Sequence, residues 1–267
     1  MHWRIISSGS HASFSNMAID ETLFIGRKNN SSPPTLRIYR WKKKTISLGY
    51  SQDPLKILNL KNCKKDDILF VRRITGGEAI FHSDELTYSI SCRITDLDFP
   101  KSVRETYRTL TSFVIEFYKM LGLKAEFSLR KKVPDDVSDF CFRGREYYDI
   151  MVNGKKIGGH AQKRTKDIIF QHGVIPIALD ENIQDYFNEK LKPIGDFTVS
   201  ISDLLDKKPD INVLENVLIS AFKKTFNITA SKESLNEHEL KFSRELEEKK
   251  YINDKWNYER EHVRICL

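Results

Sequence analysis

Val71-Arg72-Arg73-Ile74-Thr75-Gly76-Gly77-Glu78-Ala79-Ile80-Phe81-His82-Ser83-Asp84-Glu85-Leu86-Thr87-Tyr88-Ser89-Ile90-Ser91 is the stretch on which the reading of the chain turns. An apolar run, Ile68-Leu69-Phe70-Val71, predicts a buried strand that delivers two arginines, a Thr-Gly-Gly turn and a histidine. A second strand begins at Leu86, with Leu86, Tyr88 and Ile90 alternating toward one face. Paired glycines let a backbone take positive φ and approach a ligand with no Cβ in the way. Arginines beside such a turn suit a phosphate or a carboxylate. The same residues also describe an ordinary Gly-Gly hairpin with surface arginines, and the rest of the chain has to choose.

At 267 residues, with 40% hydrophobic and 11% aromatic residues, the chain can fill a full core. The formal charge of +7, from 44 Lys and Arg against 37 Asp and Glu, is spread along the chain and not blocked. It reads as a solvated surface or as attraction to acidic protein partners. The aromatics sit in apolar patterns away from the basic runs, so nucleic acid is not an expected partner. Cys63, Cys92, Cys141 and Cys266 lack the close spacing of a zinc or redox motif, and no metal is expected. Met1-His2-Trp3-Arg4 has no apolar core behind it, and no apolar run is long enough to span a bilayer. The expectation is a cytoplasmic monomer, free of membranes, with reduced thiols.

Around the opening stretch the pattern alternates between periods of two and 3.6. Strands are expected at 3–6, 36–39 and 45–48, the last two read as a hairpin with Lys42-Lys43-Lys44 as its solvated tip. A helix over 14–24 is capped by Ser13 or Ser15, and a short helix falls within 54–62. Ser102 with Glu105 opens the clearest helix, striped by Val103, Tyr107, Leu110, Val114, Phe117 and Leu121 and stopped at Gly122. Residues 130–139 have no periodicity and read as a mobile loop. Asn153-Gly154 is a two-residue hairpin turn between strands at 147–152 and 155–159. A strand at 168–177 follows, then helices at 181–191, 212–226 and from Asn236 to Lys250 with Glu239 placed for a cap. Clustered strands with inserted helices favour α+β over a doubly wound parallel sheet, as one domain over 1–267 with a helical C-terminal extension from about 205.

Among the cysteines, Cys92 lies in an apolar segment and reads as core, Cys63 among lysines reads as surface, and Cys266 sits next to the end of the sequence. Cys141 stands where a loop meets a strand, and a nucleophilic thiol there needs a base or a positive neighbour. The Asn-Gly turn sends Lys155 and Lys156 to opposite faces of the ribbon, one solvated and one covered. A covered Lys156 has a lowered pKa and can act as a base; the plain alternative is two surface lysines on a hairpin. His82, His160 and His172 lack metal spacing and read as hydrogen-bonding residues.

Four segments in this order resemble the lipoate–protein ligase, octanoyltransferase and biotin–protein ligase superfamily, from Trp3 to about Asp180. They are Asn16-Met17-Ala18-Ile19-Asp20-Glu21; Pro34 to Tyr39 through Ser47-Leu48-Gly49-Tyr50; Arg72 to Gly77 with His82 and Glu85-Leu86-Thr87-Tyr88-Ser89; and Lys156-Ile157-Gly158-Gly159-His160-Ala161-Gln162 through Gln171-His172-Gly173. The Thr-Gly-Gly-x-Ala and Glu-Leu-Thr-Tyr-Ser forms are most similar to its octanoyltransferase branch of the LipM type.

The resemblance implies a biotin/lipoate protein ligase-like catalytic domain with mixed, mostly antiparallel sheets. It also implies a Cys141–Lys156 pair. Cys141 would take octanoyl from acyl carrier protein as a thioester, and Lys156 would activate the lysine of a glycine-cleavage H protein or of a lipoyl domain of a 2-oxoacid dehydrogenase. Arg73, Thr75, Gly76, Gly77, His82, Gly158, Gly159 and His172 match positions around the acyl and phosphopantetheine site, with no cofactor. Glu78 stands where many ligases carry a third glycine, which argues against a nucleotide phosphate. Gly144 and Arg145 depart from the pattern after the cysteine. The alternatives are an ATP-dependent lipoate–protein ligase acting through an acyl-adenylate, and a non-catalytic carrier-binding module.

Overall fold

The alternation of Leu86, Tyr88, Ile90 and Cys92 becomes the middle of the main sheet in a computed structural model of the chain, which describes residues 2–97, 99, 102–128, 148–189, 193–205 and 207–261. Along the chain, β1 (His2–His11) leads into α1 (Ser13–Lys28), β2 (Thr35–Trp41) and β3 (Thr45–Leu48). Two short helices, α2 (Pro54–Ile57) and α3 (Leu60–Lys65), precede β4 (Leu69–Arg72), β5 (Ile80–His82) and β6 (Asp84–Arg93). The long helix α4 (Val103–Met120) is followed by β7 (Ala125–Phe127), β8 (Ile150–Val152), β9 (Lys155–Lys156), β10 (Gly159–Arg164) and β11 (Ile168–Ala178). The C-terminal part supplies α5 (Ile201–Leu205), α6 (Ile211–Phe226), β12 (Thr229–Lys232), α7 (Glu237–Leu246) and π-helical turns over Glu247–Tyr251 and Lys255–Glu259.

The main sheet has six strands in the order β10-β11-β6-β2-β1-β12. β1 runs parallel to β2 and β12, and the other neighbours pair antiparallel. Two three-stranded sheets, β4-β3-β5 and β7-β8-β9, flank it. This is the α+β architecture the sequence predicts. On one face α4 and α6 close the largest apolar core, where Phe113 meets Tyr88 and Phe222 edge-on at 4.9 and 5.2 Å. The other face is polar yet equally dry: Glu85, Thr87 and Ser89 are all buried, and Ser89 donates to Asp20 of α1 at 2.7 Å. The alternation in β6 therefore separates an apolar layer from a hydrogen-bonded layer, not core from solvent.

Several expectations are corrected. Residues 36–48 do not form a hairpin: β2 lies between β1 and β6, while β3 lies between β4 and β5. Both strands are buried almost throughout, so each needs two neighbours of its own for its backbone groups. The helix expected at 181–191 is only a 3₁₀ turn over Ile183–Tyr186. Its backbone is used elsewhere, since Tyr186 O accepts from Asn59 N and Asn188 N donates to Ile57 O. Cys63 is buried, not on the surface, because α3 turns Leu60 and Cys63 inward and its lysines outward; burial pushes its thiol up to about 11. Neither Ser13 nor Ser15 caps α1, because their hydroxyls are engaged by Thr45 and Glu247. The Ser102 cap on Glu105 N and the reciprocal Asn236–Glu239 box are present, and Cys92 lies in the core as read. Beyond residue 205 the chain enters the main body: β12 extends the sheet, and Arg4 is held by Glu239 of α7 through bonds of 2.9 and 2.7 Å.

Candidate functional site

The Asn-Gly turn places Lys156. Asn153 and Gly154 both adopt positive φ, 50° and 77°, as a tight two-residue turn requires, and Met151 is thereby set opposite Lys156. Lys155 remains partly exposed and reaches Gly195 O, whereas Lys156 is only 2% exposed. The Lys156 backbone is clasped from the far side, where its N–H donates to Phe197 O and its carbonyl accepts from Val199 N. Its ammonium lies 3.0 Å from Asp149, itself buried, so the covered lysine comes with a carboxylate partner. Asp149 follows Tyr148, a non-glycine residue with φ of 69°, a strained backbone of the kind that concentrates at functional sites. Two residues after Lys156, Gly158 has φ of 102°, and a Cβ there would lie 2.3 Å from Val174 O; only glycine lets the strand turn so close to β11. Gly159 then pairs with Val174.

These elements bound a cavity of about 500 Å³. Gly76, Gly77 and Glu78 form one side, Lys156, His160 and Gln162 another, and Arg104 and Tyr107 of α4 a third. The structure thus brings Gly76, Gly77 and Lys156 into one wall system. Gly77 has φ of 88°, and its carbonyl packs so tightly on Gly49 that a Cβ on Gly49 would be 1.8 Å away. Gly76 has no atom within 4 Å of its would-be Cβ, which is open space.

Arg73, Thr75 and His172 form the layer behind that wall. The Arg73 guanidinium is 1% exposed and donates to Gly76 O and Glu78 O at 2.8 and 2.7 Å and to Ser47 O at 2.8 Å. It braces the loop from inside. Thr75 Oγ1 meets His172 Nε2 at 2.7 Å, and His172 Nδ1 stands 3.8 Å from Asp20. Asp20 also accepts from Arg37 at 2.7 Å and from Tyr39 at 2.8 Å. Burial alone would raise the Asp20 carboxyl, but Arg37 and His172 outweigh it and hold it below its ordinary value. Burial lowers the His172 ring in turn. His82 stands apart from the cavity, stacked 3.9 Å from Trp41 and bonded to Ser47 at 2.7 Å and Glu85 at 2.5 Å. Arg72 is buried too, with its guanidinium on the carbonyls of Tyr50, Gln52 and Asn257.

The sequence reading missed Asp149 as the partner of Lys156, the Asp20 layer, and the places of His160 and Gln162 in the wall. An acid inside the apolar run 147–152 and the period-two pair His160 and Gln162 were the available signals. His160 Nδ1 lies 3.1 Å from the Tyr88 hydroxyl, and burial, with the charges of Lys156 and His172, pushes its ring down to about 3. Cys141, with Gly144 and Arg145, lies outside the described residues. Among the described residues no three His, Cys, Asp or Glu side chains gather to hold a metal, and no helix is long and apolar enough to cross a membrane.

An enclosed lysine beside an open glycine wall can accept a flexible chain and move a proton at its end. Residues 12–223 match the family model of the lipoyl protein ligase A/B catalytic domain. The sequence is 34% identical to octanoyltransferase LipM of Anoxybacillus flavithermus, covering 97% of this chain and 98% of that one. It is 33% identical to octanoyltransferase LipM of Bacillus subtilis over the same shares. A lipoate–protein ligase A solved with bound ATP is similar in fold, with a TM-score of 0.82 and 25% identity over 97% of this chain and 99% of that one.

Proposed function

This chain belongs to the lipoyl protein ligase A/B catalytic family, among the LipM octanoyltransferases, and from that premise we propose how its residues carry out the transfer. It is an acyltransferase that moves octanoyl in lipoate biosynthesis, and its acceptors are lipoyl-domain proteins. The donor is octanoyl-acyl carrier protein. The Cys141 thiolate attacks the donor thioester carbonyl; the carrier's C–S bond breaks, and its phosphopantetheine thiolate leaves and takes a proton. The acceptor lysine then attacks the Cys141 thioester, an amide forms, and the thiolate returns. Lys156, as the neutral amine at that step, accepts the proton that the attacking amine gives up, and the ammonium it becomes is held by Asp149.

The observation that carries this reading is the placement of Lys156, nearly fully buried, in the wall of the cavity that Gly76 and Gly77 leave open. Arg73, Thr75 and His172 act on the acyl chain by holding that wall in shape, and Gly158 and Gly159 by setting the approach of the Lys156 strand. His82 acts at one remove, through Ser47, which also accepts from Arg73. Glu78 lines the same cavity and brings a carboxylate to it, a group that does not favour a nucleotide phosphate there. The charge of +7 favours encounters with acidic carriers and acidic lipoyl domains, among them a glycine-cleavage H protein. The protein acts as a cytoplasmic monomer.

The test is incubation with octanoyl-acyl carrier protein without ATP, followed by mass spectrometry of the protein and of a lipoyl domain. An octanoyl adduct on Cys141 and a modified acceptor are expected; modification that needs ATP and free octanoate would instead establish the ligase reading. Cys141→Ala is expected to abolish the adduct. Lys156→Ala is expected to stay folded and lose transfer.

A further inference from the structure

The protons around His160 can be assigned by counting donors. The Thr111 hydroxyl donates to Tyr107 O at 2.7 Å, so it accepts from Gln171 Nε2 at 3.0 Å. Gln171 Nε2 gives its other proton to the Tyr88 oxygen at 3.2 Å. The Tyr88 hydroxyl has no other acceptor in reach among the described residues, so it donates its own proton to His160 Nδ1 at 3.1 Å. His160 is therefore neutral with its remaining proton on Nε2. Gln171 Oε1 accepts from Gln162 Nε2 at 3.0 Å, which leaves Gln162 Oε1 as an acceptor. His160 Nε2 and Gln162 Oε1 are both shielded from solvent and have no hydrogen-bond partner among the described residues, and both residues line the cavity.

An unsatisfied buried polar group is costly, and two side by side on β10 call for an occupant. They offer one donor and one acceptor. A carbonyl carbon under attack by an amine presents the complement, an oxygen gaining charge and an N–H losing its proton. Resting on the transferase reading above, we propose that His160 is a catalytic residue whose Nε2–H donates to the acyl carbonyl oxygen as it becomes an oxyanion, with Tyr88 and Gln171 as positioning residues that hold the tautomer. The histidine transfers no proton. The oxyanion forms as the nucleophile adds, is stabilised by the bond, and collapses to expel the thiolate. Low basicity suits this duty, since a ring pushed down to about 3 stays a neutral donor across the working range beside the charge of Lys156.

Octanoyl-acyl carrier protein and a lipoyl domain are supplied without ATP to wild type, His160→Phe and His160→Gln. Failure of wild type to transfer removes the transferase reading and this proposal together. With wild type active, His160→Phe is expected to lose about 10²–10³-fold in kcat with KM for the acceptor little changed, and His160→Gln, which keeps an N–H donor, to recover part of it. A folded His160→Phe enzyme turning over within about threefold of wild type overturns the His160 role and leaves the transferase reading standing. Ring ¹⁵N NMR of the wild-type protein decides independently of whether any variant folds. Protonated Nε2 with bare Nδ1 from about pH 5 to about pH 8 is expected; the opposite tautomer, or a titration near the ordinary value of 6.5, refutes the assignment.

Discussion

Lowering the pH from about 7.5 to about 5 should weaken the folded protein through His160. Its ring has an ordinary value of 6.5 unfolded and is pushed down to about 3 by burial, then by Lys156 and His172. A base whose folded value is depressed leaves the unfolded chain with the greater proton affinity. Its contribution to stability is therefore complete above 6.5 and is lost as the pH falls toward about 3. At about pH 5 the unfolded chain is favoured by a factor of about 30 from this ring, or about 2 kcal/mol, against almost nothing at about pH 7.5. His172, depressed in the same direction, adds to the wild-type loss, so the variant comparison isolates His160. Urea unfolding followed by tryptophan fluorescence is suited to the measurement, because Trp3, Trp41 and Trp256 are all buried. His160→Gln should lose about 2 kcal/mol less than wild type over the same interval. Equal losses in the two proteins would refute both the depressed value and the neutral donor built on it.

Gly158→Ala is expected to cost about 3 kcal/mol in urea unfolding, from positive-φ strain and overlap with Val174 O, and to reduce transfer by shifting Lys156. Gly76→Ala, at a position with open space, should change stability by no more than about 0.5 kcal/mol, so any fall in its turnover reports on the cavity wall. Asp20→Asn is expected to cost about 3–5 kcal/mol, because Arg37 stays buried without its counter-charge. The Asp20 carboxyl is held below its ordinary 3.8, so its contribution is present above 3.8 and vanishes as the pH falls through the folded value; the variant should show a flatter loss in acid. Arg72→Lys should cost about 3 kcal/mol by thermal or urea unfolding, since a point-like ammonium cannot serve carbonyls spread around a planar fork.

The features legible in advance were those governed by local rules. Asn153-Gly154 fixed the hairpin register and so the inward placement of Lys156, and Ser102 and Gly122 marked the ends of α4. Illegible features depended on what lies across the sheet. Glu85, Thr87 and Ser89 are polar by type, and nothing local says that Asp20 and Arg37 wait opposite them. Arg72 and Arg73 looked like ligands for an external anion. Their guanidiniums are instead occupied by carbonyls from residues 47 to 52, 76, 78 and 256 to 258, most of them distant in sequence. The hairpin expected at 36–48 failed for a similar reason, because two apolar strands joined by three lysines satisfy the pattern whether they pair together or enter separate sheets.

Arg72 and Asn257 are separated by 185 residues. At ribosomal rates of roughly 5–20 residues per second, about 10–40 s pass between the synthesis of one and the synthesis of the other. During that interval the guanidinium has only water and the 49–52 turn to bond. The clasp that joins β4 to the 49–52 turn through Arg72 is completed last, when the final helical turns arrive. A nascent chain thus carries this arginine half-paired while residues 73 to 255 are being made, and the last helical turns supply the carbonyls that complete its shell.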